Sequence, residues 1–351
     1  MLTKCRKAKD CDLPMFRPKK LPLLLLSTLV LIGTINLAGC SPTPKIATPA
    51  PAEKLKTINA SYVSRPINVP SVVAQEKKMF ENEFAKDSIE FRWHDITAPN
   101  NQLEALAAKS LDFANSLNYV SAILAKANGN DIKIISSYSR FPKGISLVVK
   151  SDGSIKTVAD LKGKKIALQK GTMLHEMLIR ALSEVNLTTK DLEIVDMDSS
   201  LGATALTAGQ VDATILPEPL LSKAIASGKA QKLRSAEGLI PGLTVIAVRS
   251  EFAKTQPEIV KRYLQVHKAS IDWSQANLEE ALALTANQNQ MNIQAVKSLY
   301  PEFDFEMSLD EVKNDLLKSA TFLKNEGMIR PNVDLNKLID DLIEPSFFPT
   351  K

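Results

Sequence analysis

The segment Thr157-Val-Ala-Asp-Leu-Lys-Gly-Lys-Lys-Ile-Ala-Leu-Gln-Lys-Gly-Thr-Met-Leu-His175 decides how the rest of the chain is read. Its pattern gives a helical turn, a charged turn at Lys162-Gly163-Lys164, a short buried strand over Lys165 to Leu168, and a break at Gln169-Lys170-Gly171. Thr172 then stands at the N-cap of an amphipathic helix with Leu174, Leu178, Ala181, Leu182 and Val185 on one face. A strand that passes through a glycine-containing loop into a helix leaves free backbone N–H groups and the positive end of the helix dipole at the strand's C-terminal edge. Small anions bind there in α/β sheets, although one glycine equally suits a βα turn without a ligand.

Working outward, strands and helices alternate. Lys56 to Tyr62 reads as a strand, Ser71 to Phe84 as a helix, Ser88 to His94 as a strand, Gln102 to Ala108 as a helix, Phe113 to Leu117 as a strand and Tyr119 to Ala127 as a helix. Ile132 to Ser137 and Ile145 to Val149 are further strand-like runs. Past the deciding segment come a strand at Leu192 to Val195, a helix at Leu201 to Thr207, a strand at Ala213 to Leu216, a helix at Leu220 to Ala226 and a β-rich run at Leu243 to Val248. Such alternation predicts parallel sheets layered with helices. From Phe252 onward the pattern is helical, with Pro257 in a first turn and Ile259, Tyr263, Val266, Ile271 and Trp273 along one long helix. The chain thus leaves one lobe and returns, and Ile145 to Val149 and Leu243 to Val248 are the runs expected at the crossings. No internal repeat is legible in the sequence.

The N-terminus sets the compartment. Arg17, Lys19 and Lys20 precede an apolar run from Leu21 to Ile32, followed by Leu37-Ala38-Gly39-Cys40. This resembles a bacterial lipoprotein signal, which implies cleavage before Cys40 and lipidation of its sulfur. The run is shorter than the ~20 residues that cross a bilayer. Either Met1 or Met15 can be the start. Seven of the 44 Lys and Arg and two of the 39 Asp and Glu precede Cys40, leaving 37 of each and no net formal charge. No basic stripe interleaved with aromatics remains, so nucleic acid is not an expected partner. Cys5, Cys11 and Cys40 are the three cysteines, so the body has no thiol with which to build a disulfide, a metal site or a nucleophile. A tether rich in Pro, Thr and Ala runs from Ser41 to Pro51, and the roughly 300 residues beyond it suit two lobes.

Several motifs in order carry a family resemblance over Lys56 to Pro345. They are Leu103-Glu-Ala-Leu106 with Leu111-Asp-Phe-Ala114, Val158-Ala-Asp-Leu-Lys-Gly-Lys-Lys-Ile-Ala167, Gly209-Gln-Val-Asp-Ala213, Glu218-Pro219, and Thr321-Phe-Leu-Lys-Asn-Glu-Gly-Met-Ile329. The chain resembles the solute-binding proteins of ABC importers, in the group that includes nitrate-, aliphatic-sulfonate- and taurine-binding proteins. The resemblance implies a bilobal α/β fold of the type II periplasmic-binding-protein class, with two mixed sheets flanked by helices and a ligand cleft between lobes. The domains expected are a signal peptide (1–39), the acylated Cys and tether (40–54), lobe one (55–146 plus 246–351) and lobe two (147–245). The implied partners are a small polar organic solute, a permease with its ATPase and, through the lipid anchor on Cys40, a membrane. The implied place is the periplasm or the outer face of the cytoplasmic membrane, for a monomer without cofactors.

Gly171, Thr172 and His175 match the family's Gly-Ser-x-x-His helix start. The Gly171 and Thr172 amides and the Thr172 hydroxyl are therefore candidates for an anionic head group, and His175 is either a ligand donor or a solvated or self-satisfied helix residue. The loop after the first strand offers Tyr62, Ser64, Arg65 and Asn68, with Arg65 as a fork for an oxyanion or a plain surface arginine. Ser116, Asn118 and Tyr119 stand where relatives carry a Gly- and Pro-rich loop, so the usual sulfonate contacts do not transfer. Glu218 stands where alkanesulfonate binders often show Trp-Asp-Pro. A carboxylate there opposes a simple anion and suits a nitrogen-bearing solute, taurine-like or a pyrimidine precursor, unless it caps the following helix or pairs with a neighbouring lysine. Trp93 and Trp273 read as core aromatics, with Trp93 an outside candidate for stacking. A pyrimidine synthase of thiamine biosynthesis has a similar fold but would need a cysteine-rich iron motif. His94, His175 and His267 have no metal-ligand spacing, and no Gly-x-Ser-x-Gly elbow occurs, so an enzyme is not expected. A ligand sensor of the same fold is the remaining alternative.

Overall fold

The computed structural model describes residues 55–63 and 67–348. Cys40, Ser64 and Arg65 lie outside the described residues, as do the signal and tether readings. No helix among the described residues is long and apolar enough to cross a membrane.

Ten strands form two five-stranded sheets. The first takes β1 (Thr57–Tyr62), β2 (Glu90–Asp95), β3 (Phe113–Asn118), β4 (Ile132–Arg140) and β10 (Leu243–Arg249), in the order β2-β1-β3-β10-β4. The second takes β5 (Ile145–Lys150), β6 (Lys165–Leu168), β7 (Glu193–Asp196), β8 (Ala213–Pro217) and β9 (Ala230–Ser235), in the order β7-β6-β8-β5-β9. In each sheet four strands share one direction, and the one strand delivered from the other half runs antiparallel to them. That strand is β10 against β3 and β4 in the first sheet, and β5 against β8 and β9 in the second. The two mixed sheets flanked by helices are as the resemblance implied.

The same device starts both sheets. Asp112, just before β3, accepts the Asn59 N–H of β1 at 2.8 Å and pairs with Arg249, at the end of β10, at 2.6 Å. Asp212, just before β8, accepts the Lys165 N–H of β6 at 3.0 Å and pairs with Lys150, at the end of β5, at 2.8 Å. Each aspartate ties three strands at their starting edge. The fold therefore repeats where the sequence shows no repeat, and the two aspartates are the residues at the centre of the Leu-Asp-Phe-Ala and Val-Asp-Ala motifs.

Helices cover both sheets. α1 (Val69–Glu76), α2 (Met79–Ala85) and α3 (Pro99–Ala107) precede α4 (Tyr119–Ala127), α5 (Met173–Ser183), α6 (Ser199–Thr207) and α7 (Leu220–Ala226). α8 (Ser250–Thr255), α9 (Pro257–Ala276), α10 (Leu278–Gln288), α11 (Ile293–Leu299), α12 (Val312–Asn325) and α13 (Leu335–Leu342) make up the helical C-terminal part. The single helix expected over Ser71 to Phe84 is two. Lys78 takes a left-handed φ of 51°, which ends α1 and re-aims α2 so that Phe80 and Phe84 stack on Phe91 at 4.8 and 5.8 Å. Strand β9 was not legible as a strand, because its Ala-Gln-Lys-Leu-Arg-Ser sequence covers a sheet edge and is charged on its open face. Trp93 packs edge-on against Phe80 and Phe91, as a core aromatic.

Neither run expected at a crossing is one. Ile145 to Val149 lies wholly in the second sheet and Leu243 to Val248 wholly in the first, so the connections are the preceding turns, Phe141 to Gly144 and Ala236 to Gly242. The turns touch, with the Phe141 N–H donating to the Gly242 carbonyl at 3.2 Å. Gly242 has a φ of +59°, and a Cβ there would stand 2.7 Å from the Pro142 nitrogen. Gly242→Ala is expected to cost on the order of 2 kcal/mol, from left-handed strain plus the clash. Urea unfolding measures it, and an unchanged midpoint would contradict this account of the crossing.

Candidate ligand-binding site

A cavity of about 370 Å³ lies where the C-terminal edges of the two sheets meet. The first sheet and its loops contribute Val63, Thr97 to Pro99, Ser116, Asn118, Phe141 and Thr244. The second contributes Gln169, Thr172 to Leu174, Asp198 to Ser200, Pro217, Glu218 and Leu220. The volume suits a small organic molecule, and ligands of open α/β sheets bind at this edge. Leu220 also lines a second cavity of about 590 Å³, formed with the α10–α11 turn.

Five helices, α3 to α7, begin at the inner cavity, and orphan N–H groups of the last four are met by side chains that line it. Asn118 Oδ1 accepts the Val120 and Ser121 N–H groups of its own helix at 3.1 and 3.3 Å, and the Met173 N–H of α5 at 3.2 Å. Three donors around one oxygen fix the orientation of the amide and leave Nδ2 as a donor. Asp198 Oδ1 accepts the Ser200 and Leu201 N–H groups at 2.8 and 2.9 Å, capping α6. Glu218 accepts the Ser222 N–H and hydroxyl, each at 3.0 Å, in the first turn of α7. The carboxylate is thus a helix cap and a cavity wall at once. Burial raises its pKa, with the two Ser222 hydrogen bonds opposing.

Of the residues singled out from sequence, Ser116, Asn118, Thr172 and Glu218 meet in this cavity. Thr172 does hold the N-cap position of α5, but its hydroxyl donates to the Gln169 carbonyl at 2.8 Å. Its free capacity is as an acceptor. The Gly171 N–H, expected to be open to an anion, instead donates to His175 Nδ1 at 3.4 Å, and the Gly171 carbonyl accepts the Ser121 hydroxyl at 3.0 Å. His175 is the self-satisfied helix residue of the two readings. Tyr62 sits edge-on to Trp93 at 6.1 Å and does not line the cavity. Asn68 is buried and donates to the Val63 carbonyl, and it does not line the cavity.

Phe141, Thr244 and Asp198 to Ser200 were not singled out. Asp198-Ser-Ser ahead of an apolar run carried an N-cap signal that could have found them; Phe141 and Thr244 reach the cavity only through tertiary structure. Among the described residues no Lys, Arg or His lines the cavity, and no group of three possible metal ligands occurs.

Residues 68–281 match the family description NMT1/THI5 like. The chain belongs to that family. A putative aliphatic sulfonates-binding protein of Bacillus subtilis (strain 168) is 29 % identical over 282 residues, covering 78 % of this chain and 82 % of its own length. The alkanesulfonate-binding protein of Xanthomonas axonopodis pv. citri superposes with a TM-score of 0.76 at 21 % identity, covering 84 % of this chain and all of that one. The fold is that of periplasmic binding proteins, as expected. The desulfurization enzyme DSZB shares it at a TM-score of 0.62 and 15 % identity over 83 % of this chain and 97 % of its own, so the fold alone does not separate capture from catalysis.

Burial, reinforced by the Lys170 ammonium, lowers the His175 pKa, with Asp196 opposing. A neutral ring keeps Nδ1 an acceptor for Gly171. The stability this adds is present above the ordinary value near 6.5 and is lost as pH falls below it, because the unfolded chain binds the proton more readily. An NMR titration of the imidazole should have its midpoint below 6.5; a midpoint at or above that value would contradict the assignment.

Proposed function

We propose that this chain is the extracytoplasmic solute-binding lipoprotein of an ABC importer, held to the membrane through Cys40. It captures a small polar organic solute between the half that carries the first sheet and the half that carries the second. It works as a monomer without a cofactor, in the periplasm or on the outer face of the cytoplasmic membrane, and presents the loaded form to a permease driven by its ATPase. The names of relatives that bind aliphatic sulfonates support this class.

The observation that carries the reading is the mixed polarity of one cavity built from both sheets. Asn118 Nδ2 supplies donors, whereas Glu218, Asp198 and the Thr172 hydroxyl supply acceptors. A solute with an acidic or carbonyl end and an amine end satisfies both sets, and Arg65, in the loop after Val63, is our candidate for the acidic end. A bare inorganic anion offers the two carboxylates no donor beyond the helix N–H and hydroxyl groups they already cap. A flat, nitrogen-containing ring is the second reading, favoured by the Phe141 ring in the wall beside Glu218.

Thermal melting of the full chain with nitrate, alkanesulfonates, taurine, pyrimidine vitamins and amino acids identifies the class, since a solute that binds only the folded state raises the midpoint. With the solute so found, Glu218→Gln and Thr172→Ala are each expected to weaken binding about tenfold, the loss of one hydrogen bond to a polar or charged group, while melting cooperatively. Calorimetric titration measures this, and unchanged dissociation constants in both variants would overturn the site.

A further inference from the structure

α5 starts at the cavity and belongs to the second sheet, yet its inner face is held by side chains of α4, which packs on the first, and of α12, which packs on α4. The Glu176 side chain is fully buried. Its Oε2 accepts the Tyr119 hydroxyl of α4 at 2.6 Å, and its Oε1 accepts the Ser319 hydroxyl of α12 at 2.9 Å. Oε1 also accepts Arg180 Nε and Nη2 at 2.9 and 2.6 Å, and the Arg180 guanidinium lies 4.1 Å over the Phe322 ring of α12. One turn nearer the cavity, Asn118 Oδ1 takes the Met173 N–H and the Ser121 hydroxyl takes the Gly171 carbonyl as its acceptor.

A buried carboxylate is a costly way to hold two halves together, since apolar side chains of similar volume would do so without desolvating a charge. What directional bonds add is register: a hydroxyl at 2.6 Å from a fixed carboxylate admits one placement of α5 on α4, whereas an apolar contact slides. The location matters equally. Asn118 pairs in register with Thr244, two residues after Gly242, so the cluster stands beside the connections through which the chain crosses. We propose that Glu176 is a positioning residue, the centre of a side-chain pin that acts as a third, non-covalent link between the two halves. The pin fixes how the two halves sit beside the crossings and holds the first turn of α5 against Asn118 in the cavity wall. The pin acts whatever solute the cleft takes, so it goes beyond the proposed function.

The test is a spin-label distance measurement on the full chain with Cys5, Cys11 and Cys40 replaced by serine, and labels at Lys190→Cys and Lys254→Cys, both exposed and one in each half. The parent should give one narrow distance distribution. Tyr119→Phe and Glu176→Gln should each broaden it by admitting further orientations, without loss of cooperative melting. A network that only adds stability would lower the melting temperature of the variants and leave the distribution narrow, and that result would overturn the proposal. If Glu176→Gln fails to fold, Tyr119→Phe and Ser319→Ala, each removing one hydroxyl, decide the matter in the same way.

Discussion

One oxygen, Asn118 Oδ1, accepts backbone N–H groups from two helices that cover different sheets. Parallel strands of both sheets deliver helix N-termini to a common edge, and every such terminus brings unpaired N–H groups that cannot be buried unmet. The chain meets them with residues that also form the cavity wall: Asn118 for α4 and α5, Asp198 for α6, Glu218 for α7. Scaffold and cavity wall are therefore the same side chains. Rigidity at this edge follows from the capping bonds, and the polarity of the cavity follows from whichever atoms those bonds leave over.

That origin sets the chemistry of the cleft. Helix N-termini in open α/β proteins commonly present their amides to an anionic ligand. Here the protein's own amide and carboxylates occupy several of those amides, and the Gly171 amide is turned to a neutral His175. The anion-binding capacity of the edge is partly spent internally, which leaves the cavity lined by hydrogen-bond acceptors as well as donors. Glu218, with its pKa raised by burial, adds a carboxyl group whose ionised form a positively charged partner would favour.

Much of this was legible in the chain before its structure. The strand–loop–helix at Lys165 to Ser183, the alternation on either side of it and the cavity positions of Asn118, Thr172 and Glu218 follow from periodicity, N-cap chemistry and family resemblance. What was not legible depends on contacts between segments distant in sequence. Lys78 breaks a periodic helix because Phe80 and Phe84 are needed against Phe91, and β9 is a strand because β5 offers it an edge. The apolar runs beside the crossings look like connectors in one dimension, but each is the strand that completes the opposite half. Glu176 and Ser319, separated by 143 residues, carry no local sign of their pairing.

The central claim is that one cavity, walled by both sheets, takes the solute. A crystal structure of the protein grown with the compound that most raises its melting temperature tests this most directly. The account predicts density within hydrogen-bond distance of Asn118 Nδ2 on one side and of Glu218 or Thr172 on the other. Density confined to one half, or seated in the larger cavity beyond Leu220 with the inner cavity holding water alone, would contradict it.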